Sequence, residues 1–462
     1  MGIVLRGGTV VTAADEYQAD VRIEGDKVAA LGSNLAQPQD EVLNIEGCYL
    51  LPGGIDAHTH FDLPVGETVT ADDFESGTRA AIVGGTTTVI DFATQFKGET
   101  LTQAFDNWQR KAQGKSYADY AFHMAITDWS EEIAAEMEEL AATKGVTSFK
   151  LYMAYKHVLQ ADDSVLLQAL RQAKKAGALI ALHCENGDVV DELIKEALAQ
   201  GQTAPAYHPL SRPPEVEAEA TARAVALAEI AQAPLYVVHL TCESALNAVI
   251  EGKKRGVEVY AETCPQYLLL DDSRYRLEGF DGAKYVISPP LRPIANQTSL
   301  WRGLQNGFIH TVATDHCSFN YKGQKEAGRS DFSKIPNGMP GVENRIALMY
   351  TYGVVPGKIS LNRLVALTAT EPAKLFGLYP RKGTIAPGSD ADLVVWDPGA
   401  TGVISAQTQT HHVDYTPFEG FPQSGKARHV FLRGSQVVAD GQLASGSPGG
   451  VYLPRKAFQP RP

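Results

Sequence analysis

Cysteine is scarce in the 462-residue chain: five residues, at 48, 184, 242, 264 and 317, with no CxxC pair. An odd, scattered set disfavours a disulfide scaffold and suits a reducing compartment. Long apolar runs are also missing, and none approaches the ~20 residues of a membrane span. The opening stretch, MGIVLRGGTVVTAADEY, lacks the basic start and apolar core of a secretory signal, so a cytoplasmic location is expected. Positive charge is in short supply. Lys plus Arg number 41 against 54 Asp plus Glu, a formal net charge of −13, which disfavours a main task of holding nucleic acid or an anionic membrane. It leaves a small neutral substrate open. Fixed-period repeats and low-complexity tracts are absent too.

What is present is ordinary globular material, 44% hydrophobic and 21% charged, enough to bury a large core. Both ends read as short strands between glycine turns: GIVLRGGTVV, ADVRIEGDKVAALG and VLNIEGCYLLPGG at one end, GTIAPGSDADLVVWDP and ARHVFLRGSQVVADGQ at the other. The two β-rich ends suggest one small sandwich built from both termini; two unrelated β units are the alternative. Between them, short apolar runs occur at 54–61, 86–92, 120–126, 148–154, 179–184, 235–241, 257–263 and 310–315. Helical patterns such as 164–176, 216–231 and 243–255 separate most of them. Eight strands alternating with helices give an α/β chain with a (β/α)₈ TIM-like barrel. The competitor is an open doubly wound sheet, but its Gly-rich phosphate fingerprint after the first strand is missing. The expected division is 1–52 and 376–462 for the β-sandwich, the latter with a C-terminal tail, and 53–375 for a metal-dependent barrel.

Chemistry gathers at the ends of the expected barrel strands. His58 and His60, in GGIDAHTHFDLP, are two apart on a strand and so face the same side. Two imidazoles there can chelate one cation, although an HxH pair alone is weak. Lys150 closes SFK, His183 lies in LIALHCEN, His239 in LYVVHLTCE and Asp315 in TVATDHCSF. Each alone has a bland reading: a hydrogen-bonded histidine, a snorkelling lysine, a helix cap. Jointly, five of the eight expected strands close on a metal-competent residue or on a lysine able to become one, at the end where barrels place active sites. Four imidazoles, a carboxylate and a lysine suit two divalent ions, with Zn²⁺ the first choice. An ammonium is a poor ligand, but its neutral amine reacts with carbon dioxide to give an anionic carbamate with two oxygens. Burial of Lys150 in an apolar run favours the neutral form.

The set HTH, SFK, H, H and TDH, with FKLYMAY, ETCPQYLLLD, ISPPLR, DFSKIPNGMPGVENR and KGTIAPGSDADLVV, resembles the dihydropyrimidinase and D-hydantoinase family of cyclic amidohydrolases over essentially the whole chain. The resemblance implies that His58 and His60 bind one metal with Asp315, that His183 and His239 bind the other, and that N6-carboxylated Lys150 and a hydroxide bridge them. It implies that the hydroxide attacks the ring carbonyl, with Asp315 moving the proton, so that a 5,6-dihydropyrimidine or 5-substituted hydantoin opens to an N-carbamoyl amino acid. Tyr155 would polarise the substrate carbonyl, and Ser288 and Asn337 would hold the cyclic amide through backbone groups. Without the resemblance these three read as packing and loop residues. Leu63, Val65, Tyr152 and Leu159 are expected to line the side that receives the ring substituent. The active form would be a homo-oligomer, a tetramer or dimer, with the tail VYLPRKAFQPRP on a neighbouring subunit.

Three rivals follow. Allantoinase and dihydroorotase resemble this family in ligand pattern. Dihydroorotase-like enzymes usually carry an arginine just after HxH, where this chain has Phe61 and Asp62. From another class, the dihydropyrimidinase-related scaffold proteins resemble the family but lack the metal ligands, all of which are filled here. His316 is expected to orient a neighbour, and His123 and Cys317 to be structural.

Overall fold

The structure, a computed structural model, describes residues 2–446 and 448–460. Eight parallel strands form one sheet in sequence order: β1 (Gly54–Thr59), β2 (Thr86–Thr94), β3 (Asp119–Ala125), β4 (Ser148–Tyr152), β5 (Leu179–His183), β6 (Leu235–Val237), β7 (Val259–Thr263) and β8 (Thr311–Val312). Nearly every residue of these strands is buried, as expected when a parallel sheet is covered on both faces. Helices fill the crossovers. The one at Asp163–Lys175 starts on an Asp162 cap that accepts from the Val165 amide and ends on Lys174 and Lys175, charges that suit the two ends of a helix dipole. Its apolar stripe, Leu166, Ala169, Leu170 and Ala173, packs into the core.

Side chains carry much of the barrel's closure. β8 is only two residues long and forms no strand ladder with β1, so the seam is tied by Asp56, which accepts from the Thr314 amide at 3.1 Å and the Thr314 hydroxyl at 2.6 Å. Buried Arg345 donates to the carbonyls of Ile55 and Val312, both at 2.9 Å, stitching the first strand to the last. These bonds replace a missing ladder and satisfy carbonyls that would otherwise be buried alone.

The chain ends build the second unit. One sheet orders Lys27–Gly32, Asp20–Glu24, Ile3–Arg6 and Glu41–Asn44; the other orders Gln442–Leu443, Ser435–Ala439, Pro422–Leu432, Leu393–Val403, Tyr49–Pro52, Thr9–Val11 and Glu16–Gln18. The second sheet interleaves strands from both termini, and so does the apolar cluster between the sheets, with Leu5, Val21, Ile23 and Leu50 meeting Ile385, Leu393, Val395 and Phe431.

Through Phe458 the tail lies along its own barrel, and its last two residues fall outside the described residues. Leu453 donates to Tyr120, Arg455 to Gly145, Lys456 to Gly377 and Phe458 to Gly177, all backbone bonds of 2.8–3.1 Å. The Arg455 guanidinium is buried and reaches Ser148 Oγ at 2.8 Å. The Gly-punctuated turns of the barrel's lower face supply the open carbonyls that capture the strand-like VYLPRK segment.

Where sandwich meets barrel, Lys382 sits inside three carboxylates: Asp119 at 2.7 Å, Asp392 at 2.6 Å and Asp390 at 3.1 Å. All four side chains are buried. The acids approach closely enough to suggest a cation site, and the ammonium already serves as that cation. Lys382→Met is expected to lower stability by about 3–5 kcal/mol, because it leaves buried Asp392 without a counter-ion, while Asp119 keeps Arg433 and Asp390 keeps Arg381. Chemical denaturation checks this; an unshifted midpoint would contradict it.

Candidate metal centre and its pocket

The six side chains expected at strand ends converge. His58 ends β1 and turns inward, where its Nε2 lies 3.0 Å from Lys150 Nζ and 3.2 Å from Asp315 Oδ1. His60 Nε2 is also 3.2 Å from Asp315 Oδ1. On the other side, His183 Nδ1 and His239 Nε2 are 3.0 Å apart. Lys150 stands on β4 over the Phe92 ring, 4.2 Å from its centroid, and Phe92 in turn packs against His58 and His60.

Backbone geometry at these positions is unusual. Asp315 (φ 51°), His239 (φ 38°) and Tyr155 (φ 66°) all occupy the left-handed region. Non-glycine residues are uncommon there, and such strain gathers at functional sites. His239 and Asp315 fall just beyond β6 and β8. The chain turns sharply as each strand stops, and the turn aims the side chain across the barrel mouth.

Two glutamates that sequence reasoning passed over set the imidazole tautomers. Glu262, at the end of β7, has Oε1 2.7 Å from His58 Nδ1, and the same oxygen accepts from the His239 amide at 3.1 Å. The oxygen is thus an acceptor, His58 Nδ1 carries the proton, and its Nε2 lone pair faces Lys150 and Asp315. Glu185 Oε2 accepts from His183 Nε2 at 2.8 Å and from Arg212 at 2.6 Å, which leaves the His183 Nδ1 lone pair facing His239. A carboxylate behind each imidazole is the arrangement that orients metal-binding histidines. The only sequence signal was a Glu next to last in VYAET and another in HCEN.

Electrostatics follow burial. Lys150 is pulled down to about 8, chiefly by burial, against the attraction of Asp315 and Glu262. Burial pushes Glu262 up to about 8. Burial would also raise Glu185, but the Arg212 guanidinium and His183 outweigh it and hold the carboxyl near 2. Burial drives His58 and His239 well below the usual imidazole range, helped by Lys150 and neighbouring rings. All of this keeps the imidazoles neutral, as ligands must be.

The donor set fits a divalent ion. His58, His60 and Asp315 offer ligand atoms within 4.8 Å of one another. His60 Nδ1 and His239 Nδ1 are buried without a protein hydrogen-bond partner. Imidazole nitrogens and the Asp315 carboxylate converge there beside the Lys150 amine, a donor set that suits nitrogen- and oxygen-binding borderline metals.

Above the cluster opens a pocket of about 290 Å³. Seven of the eight other expected site residues line it with His60, namely Lys150, Tyr155, His183, His239, Ser288, Asp315 and Asn337; His58 lies behind them. Leu63, Val65, Tyr152 and Leu159 form part of its wall, joined by Val158 and Ile287. Burial raises the Tyr155 phenol above its usual range, so it stays a donor, and Arg212 lies 5.6 Å from its ring centroid. Ser288 Oγ is buried without a partner. His316 does not reach the pocket wall: it bonds Asp72 at 3.0 Å and accepts from the Gly341 and Val342 amides. His123 is held by Ser148 and the Ala57 carbonyl, and the Cys317 thiol, at the pocket edge, is pushed up by burial.

Comparison with known proteins agrees with this geometry. Residues 49–437 match the Amidohydrolase family. D-hydantoinase of Geobacillus stearothermophilus is 51% identical over 98% of this chain and 97% of its own length. Dihydropyrimidinase of Rattus norvegicus is 42% identical over 99% of this chain and 89% of its own. The crystal structure of dihydropyrimidinase from Brevibacillus agri superposes with a TM-score of 0.99 at 51% identity, covering 100% of both chains. The strand order, the convergent strand-end ligands and these likenesses together make the chain a member of the amidohydrolase family, in its dihydropyrimidinase and D-hydantoinase branch.

Proposed function

We propose that the chain hydrolyses the cyclic amide bond of a neutral ureide ring, a 5,6-dihydropyrimidine or a 5-substituted hydantoin, to an N-carbamoyl amino acid. The observation that carries this reading is the convergence of His58, His60, Lys150, His183, His239 and Asp315 at the floor of a mostly apolar pocket. The family is metal-dependent. His58, His60 and Asp315 would hold one divalent ion and His183 and His239 a second, zinc being the first choice, with carboxylated Lys150 between them. Carboxylation adds carbon dioxide to the neutral Nζ with loss of one proton, and is supported by Nζ lying 3.0 Å from His58 Nε2 in the pocket that His183 and His239 also line. When bound, the ions would supply Lewis-acid polarisation and lower the pKa of water.

The chain's own residues do the rest. Asp315 takes the proton of the attacking water at its carboxylate and passes it to the departing ring nitrogen. Tyr155, kept protonated by burial, donates to the carbonyl oxygen as negative charge develops there. Backbone groups at Ser288 and Asn337 hold the ring's amide. Leu63, Val65 and Leu159 receive the substituent on the ring. No arginine is among the described residues that line the pocket, which speaks against a carboxylated ring such as dihydroorotate. The five cysteines are free, which supports a reducing, cytoplasmic setting.

Steady-state rates on metal-analysed protein with dihydrouracil, a 5-substituted hydantoin, allantoin and dihydroorotate test the reading. One of the first two is expected to exceed the last two by at least about a hundredfold in kcat/KM, the scale at which buried polar mismatch discriminates. Preference for dihydroorotate or allantoin would contradict it. Metal-loaded protein inert on every ring would favour the scaffold reading.

A further inference from the structure

Lys325 is fully buried, yet no carboxylate among the described residues pairs with it. Its Nζ donates to two backbone carbonyls, Val286 at 2.8 Å and Pro336 at 2.9 Å. A buried amine without a counter-ion costs stability, and a Met or Leu of similar volume would pack there more cheaply. The position therefore calls for an account other than packing.

The two carbonyls belong to the two loops that carry Ser288 and Asn337 onto the pocket wall. Val286 stands two residues before Ser288, and Pro336 stands one before Asn337. The loops touch directly, since the Gly338 amide also donates to the Val286 carbonyl at 3.0 Å. Gly338 has φ 155°, and a Cβ there would lie 2.1 Å from the Cys317 carbonyl oxygen, so the second loop is wedged tightly between the first and Cys317. Neighbouring carbonyls of the first loop are anchored too: Ile287 accepts from His208 Nε2 at 2.7 Å and Pro289 from the Tyr267 hydroxyl at 2.9 Å. The side-chain anchors Lys325, His208 and Tyr267 stand outside the pocket wall, whereas Gly338 and Cys317 belong to it.

We propose that Lys325 is a positioning residue for ring recognition, a clamp whose Nζ fixes the spacing between the Ser288 and Asn337 loops. The proposal rests on the reading that backbone groups of those loops hold the cyclic amide. Burial pulls Lys325 down to about 7, opposed by Cys317; an uncharged amine has two N–H donors, matching the two carbonyls it meets. Since ground and transition states use the same ring contacts, loss of the clamp weakens binding of both alike.

The test compares metal-loaded wild type with Lys325→Met by two readouts. The first is steady-state kinetics on dihydrouracil and hydantoin. KM is expected to rise about tenfold or more while kcat stays within about threefold, the signature of lost uniform binding. The second, made without substrate, is backbone hydrogen exchange, expected to speed up at 286–288 and 337–338 and not across the barrel. Unchanged KM with unchanged exchange overturns the clamp, and so does exchange that rises everywhere with a fall in kcat. Should Lys325→Met fail to fold, Lys325→Gln keeps an N–H donor group on a shorter arm and is read the same way, with smaller shifts. If wild type opens neither ring, the functional reading fails, and the exchange pattern still decides whether Lys325 holds the loops.

Discussion

Asp315→Asn is expected to keep its metal and lose about 10³–10⁴-fold in kcat, the upper part of the range for a positioned acid–base group. The substitution is close to isosteric and leaves an oxygen where Oδ1 lies 3.2 Å from both His58 Nε2 and His60 Nε2. Asn also tolerates the left-handed backbone that Asp315 adopts at φ 51°, so the backbone gives no separate reason for lost activity. What disappears is the capacity to take up a proton and release it to the ring nitrogen. Steady-state kinetics beside metal analysis of the same preparation make the comparison. A variant with wild-type rates would remove Asp315 from proton transfer.

Lys150→Met should have the next largest effect, and by a different route. Met fills the buried space over Phe92 that the lysine stem occupies, and an unbranched apolar chain packs there without a charge to desolvate. The folded state should therefore survive, even gain. Met cannot take up carbon dioxide, so the anion proposed between the two histidine groups is lost. Metal affinity is expected to fall by more than the 10–100-fold typical of losing an outer partner, and turnover with it. Metal per chain after dialysis, together with incorporation of labelled carbon dioxide, measures both losses. A Lys150→Met protein that binds metal and turns over like wild type would show that no bridge is needed.

Much of this site could be read from the sequence because a parallel barrel is nearly one-dimensional. Each apolar run ends at the same face, so residues that close the runs are neighbours whatever their separation along the chain. His58, Lys150, His183, His239 and Asp315 were accessible for that reason. Glu262 and Glu185 were not. Glu262 serves His58 from 204 positions away, and its role depends on barrel curvature, which brings the first and seventh strands within one hydrogen bond. Arg345 and Asp56 were hidden likewise, because the seam they tie exists only once the sheet has closed. The tail's docking on its own barrel was hidden for another reason: a short strand-like segment pairs with any set of open carbonyls, and nothing in VYLPRKAFQPRP says that Tyr120, Gly145, Gly177 and Gly377 supply them. Nothing in YKGQKEAG sets Lys325 apart from the neighbouring charges, and only the fold of the two loops around it shows that it is buried.

The most direct test of the central claim is a crystal structure of the active, metal-loaded protein with anomalous scattering collected at the metal edge. The account predicts two anomalous peaks, one among His58, His60 and Asp315 and one between His183 and His239, with planar density extending Lys150 Nζ between them. A bare Lys150 side chain with one peak or none, in protein that turns over its substrate, would contradict it.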